Sequence, residues 1–232
     1  MNQGKKIARI VGTLFLAGMI IGITGNILIQ TILDAPGYLT VVSANSLKLA
    51  MGAVLLLFTV AGDAAHGVLM YPILKKHNER IATGYFAFRI IDAVFLGLQV
   101  LFILLQIPLG NEYLKAAVSD STYFHSLGVL FIKANVYSYQ LGMVAVGVAG
   151  VMLCYSFCKT KLVPRVVAIW GLVGYATIFC GSILEILGFD LRLIHTIIGG
   201  LWELFIGIWL LVKGFNPVPG PSPVAKTGTI IK

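Results

Sequence analysis

The chain has 232 residues, of which 58% are apolar and only 11% charged, and it carries a net charge of +8. A soluble domain is roughly 25% charged, so this composition excludes an ordinary soluble enzyme. It also disfavours a nucleic-acid binder, because the basic residues are scattered through short loops rather than gathered into one helix or groove. Apolar runs of about 20 residues recur, the length that crosses a hydrocarbon core about 30 Å thick.

In chain order, the first such run covers about 10–29 and follows Lys5, Lys6 and Arg9. A signal peptide has a shorter apolar region, about 7–15 residues, followed by a small-residue cleavage site. This run is longer and lacks such a site, so it reads as a retained first span. Further spans are expected at about 49–74, 81–105, 136–157, 166–187 and 194–212, with Pro72, Pro108 and Pro164 at or near span ends. Gly18 and Gly22 form a G-x-x-x-G pair in the first span, a pattern that lets helices approach closely. Trp170, Trp202, Trp209, Tyr38, Tyr71 and Tyr155 read as interface anchors or core fillers. Residues 112–134 contain an apolar stretch of about 12 residues, too short to cross. They are expected to form an outer-face amphipathic or re-entrant helix. The stretch from Asn216 holds Pro217, Pro219, Pro221 and Pro223 and should be a disordered tail, which makes 1–215 the transmembrane domain and 216–232 its appendage. The expected fold is therefore all-α, a polytopic integral membrane bundle of six transmembrane helices plus that one extra helix.

Orientation follows from Lys and Arg in short loops, which accumulate on the cytoplasmic side. Six spans place twelve basic residues on one face: Lys5, Lys6, Arg9, Lys75, Lys76, Arg80, Lys159, Lys161, Arg165, Lys213, Lys226 and Lys232. The other face receives four, namely Lys48, Lys115, Lys133 and Arg192. Both chain ends are therefore expected in the cytoplasm.

The remaining basic residue, Arg89, lies inside a span, together with His66 and the carboxylates Asp63, Asp92, Glu185 and Glu203. A charge at the centre of a span costs about 2.5–3.5 kcal/mol on the insertion scale, so these groups should face the bundle interior and pair. Asp63 and His66 are three residues apart, as are Arg89 and Asp92, so each pair shares a helix face. Consecutive helices are usually neighbours, which would bring the two pairs together near mid-membrane with Glu203 at the same depth. Gln99 continues the Asp92 face outward, and Glu185 lies nearer the far surface. Two readings stand side by side. The cluster can be structural glue between helices, or it can line a polar cavity that binds a proton or a small polar solute.

Other signals are weaker. His125, His195 and Glu185 lie on the outer side, but no H-x-x-x-H or H-E-x-x-H spacing is present, so no metal is expected. Cys154, Cys158 and Cys180 give no disulfide framework. No phosphate-binding glycine loop, nucleophile elbow or nucleotide fingerprint occurs, and no cofactor is expected.

Four short pieces in order, Leu69–Leu74 (LMYPIL), Arg89–Asp92 (RIID), Leu162–Arg165 (LVPR) leading to Trp170-Gly171, and Gly207–Phe215 (GIWLLVKGF), resemble a family of small bacterial membrane proteins catalogued as domain of unknown function 4386. The family looks to prefer Glu where this chain has Asp92. The resemblance implies a bacterial inner-membrane location and supplies no activity. Three functions remain open: a small-solute or proton-coupled carrier or channel, an accessory or sensory subunit of a membrane complex, and a membrane-embedded enzyme acting on a lipid or isoprenoid. The partners expected are the lipid bilayer, a small polar solute or proton, and a second copy or another membrane protein.

Overall fold

The computed structural model describes residues 3–115, 121–192 and 194–216. Among them there are only helices: α1 (Gln3–Leu33), α2 (Tyr38–Ala44), α3 (Ser46–Lys75), α4 (Glu79–Leu104), α5 (Gln106–Lys115), α6 (Ser121–Thr160), α7 (Arg165–Ile186), a 3₁₀ turn (Ile194–Thr196) and α8 (Ile197–Val212). Six helical segments are long and apolar enough to cross a membrane. They make a polytopic, membrane-embedded bundle. Its surface carries Ile20, Leu47, Phe58, Val94, Val166 and Ile208 well exposed. Such an exterior is at home in lipid, where hydrocarbon tails are as apolar as leucine.

Because lipid gives no hydrophobic drive between helices, close backbone approach must supply the attraction. Glycines provide it. A Cβ on Gly12 of α1 would lie 2.7 Å from the Gly207 carbonyl oxygen of α8, and one on Gly174 of α7 would lie 2.9 Å from Gly199 Cα. Gly150 and Gly171 receive the rings of Tyr175 and Trp202 at 2.0 and 2.4 Å from where a Cβ would stand. Any side chain at these positions would separate the helices.

Four features share one face of the bundle: the start of α1, the α3–α4 turn, the α6–α7 turn and the end of α8. Ala8, Leu74, Ala82, Phe157, Leu162 and Leu210 form one buried apolar cluster there. Asn78 caps α4 by accepting a hydrogen bond from the Ile81 amide at 3.1 Å, and Lys75 pairs with Glu79 at 2.8 Å across the turn. At the chain's described end, Asn216 donates its backbone N–H to the Leu162 carbonyl (2.8 Å) and its side-chain amide to the Lys161 carbonyl (3.0 Å). Asn216 is thus a fixed clasp on the α6–α7 turn, not the first residue of a tail. The rest of the expected tail, 217–232, lies outside the described residues.

The opposite face holds α2, α5 and the beginning of α6. Among the described residues, 112–115 and 121–134 do not form the separate amphipathic or re-entrant helix expected. Glu112–Lys115 ends α5, and 121–134 are the first turns of α6, which runs unbroken for 40 residues, about 60 Å. No proline interrupts it, and its apolar side chains have partners. Phe131 stacks on Phe102 at 6.4 Å, and the Gly128 carbonyl accepts a hydrogen bond from the Gln106 side chain at 3.1 Å. The segment looked too short to cross because it is the overhang of a span rather than a span.

Candidate functional site

The polar groups of α3 and α4 meet where those helices touch at Gly67. A Cβ on Gly67 would lie 3.1 Å from Arg89 Cβ, so the glycine lets the arginine stem lie flat on α3. Arg89 is buried, and its guanidinium is engaged on three sides. Nη2 is ion-paired with the Asp63 carboxylate, and Nε donates to the Asp63 carbonyl at 3.2 Å. Nη2 also donates to His66 Nδ1 at 3.1 Å. A guanidinium can only donate, so His66 Nδ1 is the accepting, unprotonated nitrogen. His66 Nε2 therefore carries the proton and faces the Val11 carbonyl of α1 at 3.3 Å. The imidazole is neutral, with both nitrogens occupied, and it packs on Phe15 at 4.3 Å between ring centroids.

Asp92 lies on the third side. It is wholly buried, and its Oδ2 is 3.4 Å from Arg89 Nη1, yet neither carboxylate oxygen has a hydrogen-bond donor. Facing it is Gly142 of α6, which offers no side chain. The groups electrostatically close to it are Asp63, Arg89 and Glu203. Glu203 of α8 completes the cluster, its Oε1 accepting a 2.8 Å hydrogen bond from the Tyr175 hydroxyl of α7. Two carboxylates thus share one guanidinium, with a third, Glu203, close by.

These groups form the floor of a pocket. A cavity of about 530 Å³ is lined by Asp63, His66, Arg89, Tyr139 and Glu203, with walls that include Leu14, Met19, Met143 and Ile178. Toward the chain ends the pocket is bordered by Phe15, which packs edge to face on the buried Trp202 at 6.1 Å. Trp202 is held by its Nε1 hydrogen bond to the Val167 carbonyl at 2.7 Å. On the other side its border includes Ile23, Asn26, Ile197 and Leu201, all exposed on the bundle surface. Gly18 and Gly22 both belong to this wall, and of the two only Gly22 also faces a neighbouring helix, a Cβ there lying 3.4 Å from Thr59 of α3. A Cβ on Gly18 would meet nothing within 4 Å, whereas the packing glycines of α1 are Gly12 and Gly25.

The other residues singled out from sequence lie elsewhere. Gln99 is half-buried on α4 and does not line the pocket. Glu185 caps the loop that follows α7 by accepting from the Leu191 amide at 2.9 Å. His195 is buried against Gly181, with Nε2 3.4 Å from Ser182 Oγ, and His125 packs edge-on to Tyr113 at 5.4 Å. Among the described residues no three His, Cys, Asp or Glu side chains converge as metal ligands. Tyr139 and Tyr175 were not foreseen. Depth could have revealed Tyr175, which lies ten residues into α7 while Glu203 lies nine from the end of α8, on the same face and at the same level.

Fold and site together define a polytopic helical membrane protein with a charged pocket inside its bundle. Residues 10–214 match the family described as "Domain of unknown function (DUF4386)", and the chain belongs to that family. Comparison with curated proteins and with solved structures finds no match to the chain.

Proposed function

We propose that this protein is a proton-coupled carrier for a small solute, with Arg89 as its coupling centre. The observation that carries the reading is a single guanidinium shared by two carboxylates beside a pocket inside the bundle. Asp63 borders the pocket, with 26% of its side chain exposed, while Asp92 lies behind the floor and is wholly buried. Full ionisation of Asp63, Asp92 and Glu203 would leave two negative charges uncompensated in a medium of low dielectric. Such a site takes up protons or a cation.

Arg89 has two alternatives. Paired with Asp63, it leaves Asp92 to hold a proton. When a solute engages Asp63, Arg89 can close the 3.4 Å gap to Asp92, whose proton then leaves to water in the pocket. Solute entry and proton release are thereby linked through one side chain. The buried apolar cluster between the pocket and the chain ends, with Phe15, Trp202, Ile206 and Leu210, favours a carrier over a channel, which would need a continuous path. We also place the protein in a bacterial inner membrane with both chain ends in the cytoplasm, on the strength of the lysines and arginines gathered on the end-bearing face.

The test is proton flux in proteoliposomes, read by an entrapped pH dye, alone and with panels of small cationic, anionic and neutral solutes. Wild-type protein should dissipate an imposed pH gradient with at least one solute class. Asp92→Asn should fold normally yet lose proton coupling by at least about tenfold, as expected for removal of the proton-holding group. Flux absent under every condition, or unchanged in Asp92→Asn, would refute the proposal.

A further inference from the structure

We propose that the pocket takes an amphipathic organic cation, which enters sideways from the bilayer between α1 and α8. The inference rests on reading the pocket as a solute site and adds the chemical class and the route.

The sign of charge comes from what is left unspent. Arg89 hydrogen-bonds Asp63 and His66 through Nε and Nη2, and its Nη1 faces Asp92 at 3.4 Å. His66 is committed to Arg89 and Val11. Among the described residues that line the pocket Arg89 is the one fixed cation, and it stands against the carboxylates Asp63 and Glu203, with Asp92 behind it. Acceptors do remain. Asp63 is partly open to the pocket, Glu203 is held by a single hydrogen bond on one oxygen, and Asp92 has no donor at all. An ammonium or other organic cation supplies the charge this set lacks.

The apolar body comes from the walls and the entrance. α1 and α8 touch near the chain ends, through Gly12, Leu16 and Gly207. Farther along, Gly18 of α1 and Gly200 of α8 both line the pocket, and a Cβ on either would meet open space. The gap is bordered by Ile23 and Leu201, 56% and 54% exposed on the lipid-facing surface. A water-soluble ion would find no reason to pass between isoleucine and leucine. A cation carrying hydrocarbon would partition to that depth first and then find the floor. The cavity of about 530 Å³ falls within the range of about 300–1,000 Å³ that holds drug-sized molecules.

The experiment uses two ions of nearly the same size and shape and opposite charge, tetraphenylphosphonium and tetraphenylborate. Binding of each to the full-length protein in detergent is measured by equilibrium dialysis against protein-free micelles. Tetraphenylphosphonium should bind saturably at one site, and tetraphenylborate at least about tenfold more weakly, a difference of about 1.4 kcal/mol. Glu203→Gln should weaken the cation by a similar factor. Gly18→Phe, placed where space is open, should block it without lowering the unfolding temperature. Equal binding of both ions, or cation binding indifferent to both substitutions, would overturn the proposal. If Glu203→Gln does not fold, the ion pair and Gly18→Phe still decide. Dialysis needs no gradient, so the outcomes separate. Cation binding without proton flux would sink the carrier reading and keep the ligand class, whereas flux with no preference for the cation would do the reverse.

Discussion

Arg89 holds the charge balance of the bundle interior. Removing it leaves Asp63 and Asp92 facing each other without a counter-ion. Breaking a buried ion pair by deleting one partner costs about 3–5 kcal/mol, so Arg89→Met should unfold at markedly lower denaturant in a detergent titration. The combination Arg89→Met, Asp63→Asn, Asp92→Asn removes all three charges and should recover most of that loss, while remaining silent in proton flux. Stability without flux is the signature of a functional cluster; flux surviving in the triple variant would show that the cluster is glue. Arg89→Lys should not substitute, because an ammonium cannot reach Asp63, His66 and Asp92 from one position as the planar fork does. Much of this pairing was legible in the sequence. The three-residue spacings of Asp63–His66 and Arg89–Asp92, on consecutive spans, already placed the four groups together. The tautomer of His66 was not legible, because it depends on a backbone carbonyl of α1, and no side-chain pattern marks that.

At the scale of elements, glycine serves two opposite purposes, and only three-dimensional register separates them. Gly12, Gly150 and Gly171 are contact points where any side chain would collide with backbone or ring, whereas Gly18, Gly62 and Gly200 face open space. Gly171→Leu should therefore abolish stable expression, since Trp202 and Cys154 already occupy the site of its Cβ. Gly62→Ala should leave the unfolding free energy within about 1 kcal/mol of wild type, with the small gain in helix propensity offsetting any loss. Thermal unfolding of the pair in one detergent makes the comparison. The G-x-x-x-G spacing at Gly18 and Gly22 pointed to a helix contact because sequence shows spacing but not which face meets a neighbour. The same limit explains 121–134, where hydropathy marks the part of a helix that lies in lipid and is blind to its continuation beyond.

For the whole molecule, the six spans were plain from hydropathy alone, since each apolar run is long enough to cross and is bounded by charged turns. The clasp of Asn216 on the α6–α7 turn was not, because nothing in a polar residue before prolines signals a tertiary hydrogen bond. The proposed orientation is checked by a cysteine-free background (Cys154→Ser, Cys158→Ser, Cys180→Ser) carrying Lys161→Cys or Lys48→Cys. In intact cells a membrane-impermeant maleimide should label the second and not the first; the reverse pattern would invert the protein. The meeting of α1 with α8 through Gly12 and Gly207 also bears on biogenesis. Of the described helices α8 leaves the ribosome last, so α1 must wait in the membrane with its glycine groove unfilled until synthesis has passed residue 207. The α3–α4 hairpin can pair Arg89 with Asp63, with Asp92 holding a proton, as it inserts, whereas Glu203 arrives only with the segment that shuts the ring. A nascent chain arrested before α8 would thus be electrically settled but structurally open, and that exposed groove is the surface on which a membrane chaperone or quality-control protease would tell an unfinished copy from a finished one.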